Sequence, residues 1–363
     1  MAIKSITPIA LNLPFEVGGP KPLFAGRPRN MEMLLVRVET DGGIVGWGEA
    51  FGYAVWPATR AALETLIAPL AVGRDERDIP ALLADLQRKL HLLGRTGPVM
   101  YALSGLDIAL WDIAGKAAGK PLAELHGGAR RADFPAYASL VRYTDPALVA
   151  RNAQAAVARG FRAIKLHETG VEQVRAAREA IGPDVKLMMD TNCPWTVTEA
   201  IAVAAKVREF DLWWFEEPVW PPEDYGGLAR VRRECGIAVS AGENAVSLLD
   251  FRAMFDAGAV DYAQPSVTKI GGVTEMMRIA QLARERGVSL VPHSPYFGPG
   301  LLATLHMAAA FEHETMIEYS YCDLGASPLG EAIAVNDGRI TLPRGPGLGR
   351  DPDPDVLARF RVA

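Results

Sequence analysis

Cysteine is scarce: Cys193, Cys235 and Cys322 are the only three in 363 residues. They are odd in number, far apart and without C-x-x-C spacing. That excludes a disulfide framework or a thiolate zinc site, and it reads as reduced thiols in a cytoplasm. No apolar run approaches the ~18 residues of a membrane span. The opening stretch MAIKSITPIALNLPF is broken by Pro8 and is too short in its apolar part for a signal peptide. Neither sign of charge dominates, since 38 Lys and Arg against 43 Asp and Glu leave a net charge of −5 with the signs interspersed. Such a surface offers no field to nucleic acid or to an anionic membrane, so neither partner is expected. These absences point to a soluble cytoplasmic enzyme acting on a small molecule. A hydrophobic fraction of 49% is ample core material. The chain is long for one core, so a barrel of ~250 residues plus a second domain is the natural partition.

Potentially reactive polar groups recur down the second half of the chain, each at the end of a short apolar run. They are Lys165 after FRAI, Asp190 after VKLMM, Glu216 after LWWF, Glu243 after AVSAG, Ser266 after VDYAQP, His293 after VSLVP and Glu318 after ETMI, separated by 23 to 27 residues. That is the length of a strand, a helix and two loops. Repeated with a right-handed crossover, such a unit closes into a parallel barrel whose active site collects at the carboxyl ends of the strands. Seven distant residues should therefore converge on one cavity.

The rest of the chain has a different texture. Residues 1 to about 55 read as antiparallel strands, with a Gly/Pro-rich excursion from Val17 to Arg29 and a hairpin turn at Asp41-Gly42-Gly43. Residues 57 to about 125 read as helices, among them PVMYALSGLDIALWDIAGKAA, which stops at Gly119, Lys120 and Pro121. The expected organisation is an α+β capping domain over residues 1–125, a barrel over 126–325, and a C-terminal segment, 326–363, packing back on the cap.

Asp190, Glu216 and Glu243 carry the strongest chemical signal, because they end neighbouring strands at ~4.8 Å spacing. Three carboxylates that close cannot all stay ionised without a cation, and an all-oxygen site suits Mg²⁺ rather than zinc. Glu217 points the other way on its strand and is not counted as a ligand. Lys165 and His167 share the interior face of the second strand. A cation beside them should push both toward their neutral forms, which suits a general base. His293 could face the same substrate carbon from across the barrel, and Glu318 could hydrogen-bond a substrate oxygen.

The segment LSGLDIALWDIAGKAAGKPLAELHGG and the string MMD, FEEP, AGEN, QPSVTKIGG, PHS, IEY resemble the mandelate racemase group of the enolase superfamily. The resemblance covers nearly the whole chain. It implies an α/β fold, a (β/α)₇β modified TIM barrel under an N-terminal α+β capping domain. It also implies Mg²⁺ on Asp190, Glu216 and Glu243, and removal of the proton α to a carboxylate to give a metal-stabilised enediolate, with a Lys or His base. Two positions depart from the group's pattern. His167 stands where a second Lys commonly acts as base. Ser266 stands where an Asp commonly pairs with the seventh-strand His, so His293 loses the partner that would hold its tautomer. Lys269, three residues beyond that register, reads as a loop residue.

An acid placed at the β-hydroxyl expels water from the enediolate, whereas one on the opposite face returns a proton with inversion. Unlike partners, Lys165 and His167 against His293, fit β-elimination from a polyhydroxy acid better than symmetric racemisation or epimerisation. The expected activity is dehydration of an acid sugar, a small-molecule carboxylate, by a homo-oligomeric enzyme. Specificity should lie in the cap loops, with Phe15, Lys21, Phe24, Arg27 and Arg29 in one and Phe51, Tyr53 and Trp56 in the other. Two more remote readings are a Schiff-base aldolase using Lys165 and a non-catalytic acid-binding barrel.

Overall fold

The computed structural model describes residues 1–362. Strands Ile3–Leu13, Met31–Thr40 and Val45–Ala50 form a three-stranded antiparallel sheet with the middle one central. Its hairpin turns at Gly43, whose φ of 81° suits a residue without a side chain. The long helix Pro98–Ala118 opens on proline and ends at Gly119, which takes a left-handed φ of 65°. Most of its positions are buried, because one side packs on this sheet and another on the barrel. The helix and sheet approach so closely that a Cβ on Gly48 would come within 1.9 Å of the Gly105 carbonyl oxygen.

Eight strands follow: Asp133–Leu140, Ala163–Leu166, Lys186–Asp190, Leu212–Glu216, Val239–Ala241, Tyr262–Ala263, Ser289–Leu290 and Ile317–Ser320. Seven helices alternate with them, from Pro146–Ala158 to Pro299–Ala310. The first seven strands pair in sequence order, all parallel, and the eighth pairs parallel with the first. Between seventh and eighth, the Thr315 hydroxyl donates to the Leu290 carbonyl at 2.7 Å. This is a (β/α)₇β barrel under an N-terminal cap. In its register Glu216 stands opposite Asp190 on one side and Ser240 on the other.

The fifth, sixth and seventh strands are only two or three residues long. Glu243, Ser266 and His293 therefore sit in the loops just beyond them, while Lys165 lies within its strand.

The cap is fastened to the barrel by buried acids that meet backbone N–H groups. Glu49 accepts from Gly300 N–H at 2.8 Å at the start of helix Pro299–Ala310, where the helix dipole favours an acceptor. Asp107 accepts from Thr274 N–H at 3.0 Å. The 14–30 excursion contains a small hairpin, Leu23–Phe24 with Arg27–Pro28, and its start, Phe15–Glu16, pairs antiparallel with Asp323–Leu324 just after the eighth strand. At the C-terminal end, Arg361 bridges to Leu11 and the Val362 N–H donates to the Ala10 carbonyl at 2.8 Å. Among the described residues no helix is long and apolar enough to cross a membrane.

Candidate active site

Parallel strands deliver their carboxyl ends to one rim, and that rim gathers all seven residues picked out by the spacing. Carboxylate oxygens of Asp190, Glu216 and Glu243 lie within 4.8 Å of one another, with the first two side chains almost fully buried. Lys165 is wholly buried among carboxylates. Its Nζ lies 2.7 Å from Glu216 Oε1, 2.8 Å from Glu318 Oε1 and 3.1 Å from Asp190 Oδ2. Trp214 Nε1 donates to the other Glu216 oxygen at 2.7 Å.

The charges compete in this dry space. Burial, reinforced by Asp190, pushes Glu216 up to about 8. Asp190 and Glu243 are held well below the usual carboxylate range. Burial would raise both, but Lys165 and His167 overcome it for Asp190, and His293 and Lys269 do so for Glu243. Three carboxylates this close thus keep one proton among them, and a hard divalent cation would relieve that crowding. An all-oxygen donor set of this spacing fits such an ion.

The sequence reading places Lys165 and His167 toward neutrality beside a cation. With the carboxylates alone the direction is reversed. Burial opposes charge on both groups, but Glu216, Glu318 and Asp190 hold Lys165 well above its ordinary value, and Asp190 raises His167. A cation that shared Asp190 would weaken its pull on His167 and favour the neutral ring.

His167 follows directly on the second strand. Its Nδ1 lies 2.5 Å from the Leu140 carbonyl oxygen, an acceptor, so that nitrogen carries the hydrogen. Its Nε2 faces a second acceptor, Asp190 Oδ2 at 3.1 Å, and becomes the nitrogen left for proton transfer once a cation takes up Asp190. Arg142 fixes the loop behind it, donating from Nε to the His167 carbonyl at 2.8 Å. Glu318 accepts from the Ser139 hydroxyl at 2.8 Å and from Ser294 N–H at 3.2 Å, and Lys165 and His293 keep its pKa low against the effect of burial.

His293 is set differently. Its Nε2 lies 2.8 Å from Glu243 Oε2, and its Nδ1 lies 3.3 Å from Ser266 Oγ and 3.4 Å from the Tyr296 hydroxyl. Ser266 does leave His293 without a carboxylate at Nδ1, but two hydroxyls take that place. Tyr296 was invisible to the spacing argument, because it sits in an irregular loop three residues past His293.

Two further readings from sequence change. Lys269 is on a loop, yet its side chain is buried: Nζ donates to the Glu243 carbonyl at 3.1 Å and lies 4.5 Å from the centre of the Phe51 ring. Glu217 lies past the strand end at a φ of 44°, so strand alternation does not govern it. It is buried, accepts from Asn244 Nδ2 at 2.8 Å, and is pushed well up by burial and then by Glu243. It stands outside the three-carboxylate group.

Above these groups a cavity of about 340 Å³ opens toward the cap, adjoining a second of about 600 Å³. His167, His293, Arg29 and Tyr53 line both. Of the cap residues expected to set specificity, Phe15 lines the first and Phe24 and Phe51 the second. The Arg29 guanidinium lies 4.4 Å from the centre of the Tyr53 ring, and its buried Nε has no hydrogen-bond partner.

Residues 20–127 match the family model described as the mandelate racemase / muconate lactonizing enzyme N-terminal domain, and residues 148–356 match the enolase C-terminal domain-like family. The chain is 37% identical over 353 residues to a D-galactarolactone cycloisomerase of Agrobacterium fabrum, spanning 91% of each. It is 33% identical to an arabinonate dehydratase of Saccharolobus solfataricus, spanning 88% of each. Its fold superposes with a TM-score of 0.90 on the crystal structure of a racemase from Streptomyces coelicolor with bound magnesium, at 30% identity and covering 99% of this chain and 100% of that one.

Proposed function

Because the chain belongs to the mandelate racemase/muconate lactonizing enzyme family of the enolase superfamily, we propose that it is a Mg²⁺-dependent dehydratase of acid sugars. The observation that carries this reading is the unlikeness of the two histidines facing one cavity. Both rings set Nε2 against a carboxylate of the three-acid group, Asp190 for His167 at 3.1 Å and Glu243 for His293 at 2.8 Å, but His167 gives its Nδ1 to the Leu140 carbonyl whereas His293 has two hydroxyls at Nδ1. With Asp190 committed to a cation, His167 Nε2 is left to take a proton, and His293, with hydroxyls at Nδ1 in place of a carbonyl or carboxylate, is its unlike partner. Elimination needs that pair, while a symmetric racemase needs two bases.

In this reading Asp190, Glu216 and Glu243 hold the cation. When bound it would supply Lewis-acid stabilisation of the charge that develops on the substrate carboxylate. His167 takes the α-proton. Lys165 stays an ammonium that holds Glu216 and Glu318 in place, and Glu318 hydrogen-bonds the substrate. His293 meets the departing β-hydroxyl. The α C–H and β C–O bonds break, the α-proton equivalent and the hydroxyl leave as water, and the resulting enol becomes a 2-keto-3-deoxy acid.

The immersion of Lys165 speaks against an aldolase. All three of its N–H donors face carboxylates, and it is fully buried, which leaves no neutral amine for a carbonyl. The dehydratase reading is tested by incubating protein and Mg²⁺ with a panel of aldonic acids and acid-sugar lactones and trapping carbonyl product with semicarbazide. A semicarbazone-forming product is expected. A substrate returned with inverted configuration and no carbonyl would place the enzyme with the racemases.

A further inference from the structure

Two guanidinium groups line the cavity of about 340 Å³ above the histidines, Arg29 from the cap excursion and Arg142 from the loop after the first barrel strand. Neither is matched by an acid. Arg142 meets only neutral acceptors, the His167 and Thr191 carbonyls at 2.8 and 3.4 Å and the Asn192 side-chain oxygen at 3.3 Å. Arg29 meets less. Among the described residues it pairs with no carboxylate, and its buried Nε has no hydrogen-bond partner. Its guanidinium lies over the Tyr53 ring, 4.4 Å from the centre. That ring is held between cap and barrel, since its hydroxyl donates to the Pro295 carbonyl at 3.4 Å in the loop after the seventh strand. The ring covers one side of the guanidinium and takes none of its N–H donors.

The neighbouring charges are already matched. Glu318, the one carboxylate among the described residues lining this cavity, is turned to Lys165, the Ser139 hydroxyl and the Ser294 N–H. Lys21 of the cap pairs with Glu16 at 3.2 Å, and Lys269 of the adjoining cavity donates to the Glu243 carbonyl.

We propose that the substrate is a dicarboxylic acid sugar and that Arg29 holds its second carboxylate at the cap end of the cavity. One carboxylate belongs at the metal end, so the far end of a monoacid would bring a neutral hydroxyl to Arg29. A hydroxyl accepts a hydrogen bond but leaves a permanently ionised, half-buried guanidinium without a counter-charge. A carboxylate supplies the charge. It also sets two oxygens in one plane against two N–H groups in one plane, the stronger and more directional pairing. Arg142 adds a second positive charge to the same cavity. Which carboxylate lies at the metal rests on the dehydratase reading, whereas binding of a diacid through Arg29 does not.

The test compares acids that differ only in whether the far end is CH₂OH or COO⁻: D-gluconate with D-glucarate, D-galactonate with galactarate, and D-xylonate with xylarate. Affinities are measured by calorimetry on Mg²⁺-loaded full-length protein carrying His167→Asn, so that binding is read without turnover. In at least one pair the diacid should bind ~10-fold or more tightly than the monoacid, the difference between a charged and a neutral hydrogen-bond partner. Adding Arg29→Gln, which keeps donors and removes the charge, should bring the two within a few fold, and Arg29→Lys should retain part of the preference. A panel in which no diacid binds, or in which every monoacid binds as tightly as its diacid, overturns the proposal. So does a diacid preference that survives Arg29→Gln. A preference lost with Arg29→Gln, together with a diacid that the unsubstituted protein returns epimerised and without carbonyl product, would sink the dehydratase reading alone.

Discussion

Lys165 Nζ lies 2.7 Å from Glu216 Oε1, with Glu318 and Asp190 completing a ring of carboxylates around a fully buried ammonium. The lysine is the one fixed positive charge wholly inside this cluster. Removing it leaves buried carboxylates that repel one another, and breaking a buried ion pair costs ~3–5 kcal/mol. Lys165→Met should therefore melt roughly 10 °C below wild type in the presence of a chelator. Adding Mg²⁺ should restore more of the Tm to the variant than it adds to wild type, since the ion supplies the missing charge. Equal Mg²⁺ shifts in both proteins would remove the carboxylates from the proposed metal site. Glu216→Gln, measured by calorimetric Mg²⁺ titration, should fold yet bind the ion far more weakly and lose turnover.

The roles assigned to the two histidines separate in deuterated solvent. With an acid-sugar substrate found by screening, His167→Asn should stop exchange of the α-proton with D₂O, because its Nδ1 is committed to the Leu140 carbonyl and its Nε2 is the nitrogen assigned to take that proton. His293→Asn should leave that exchange running while keto-acid release falls at least about 100-fold, the scale of lost acid–base assistance. Exchange that survives the first substitution and vanishes with the second would move the base to His293.

The regular part of the molecule was legible in the sequence, and the irregular part was not. A strand–helix period of about 25 residues placed Asp190, Glu216 and Glu243 on neighbouring strands because parallel pairing leaves little freedom of register, and Glu216 does stand opposite Asp190. The reading weakens wherever a strand ends early. Alternation put Glu217 on the far face, but the strand stops at Glu216 and a φ of 44° aims the next residue by loop geometry. Lys269 and Tyr296 escaped for the same reason: each lies several residues past a two-residue strand, where no period fixes direction. The Ser266 departure was visible. That a tyrosine from another loop would complete it was not, since that contact depends on how the loops after two adjacent strands fold back.

Arg29 bears on substrate choice. Its guanidinium lies 4.4 Å from the centre of the Tyr53 ring, it lines both cavities, and its buried Nε lacks a partner. A hydroxyl or second carboxylate at the far end of the substrate would satisfy it. A lost hydrogen bond to a charged group costs ~1.5–3 kcal/mol. Arg29→Ala should therefore raise KM roughly 10-fold to 100-fold with kcat within a few fold. A fall in kcat at unchanged KM would place Arg29 in the chemistry instead, and unaltered kinetics would take it out of the substrate pocket.

Glu49 links cap and barrel through a titratable joint. Burial pushes its carboxyl up to about 8, even though the Gly300 and Gly298 N–H groups pull the other way. Asp107, at the other joint, is raised by burial to about 7 despite its bonds from Thr274. Both acids have folded pKa values above their unfolded ones, so the sign is opposite to that of a salt-bridged carboxylate. Between about 4.5, where an unfolded Glu ionises, and about 8, the unfolded chain releases the Glu49 proton while the folded one keeps it, and stability falls as pH rises. The slope approaches about 1.4 kcal/mol per pH unit for each such group. Glu49→Gln keeps an oxygen acceptor for Gly300 but cannot titrate. Urea unfolding at pH 6, 7 and 8 should show wild type losing stability relative to this variant at each step, with the two drawing parallel above the folded pKa. Parallel curves across the whole range would mean that Glu49 is already ionised at pH 6 and that its two N–H donors outweigh its burial.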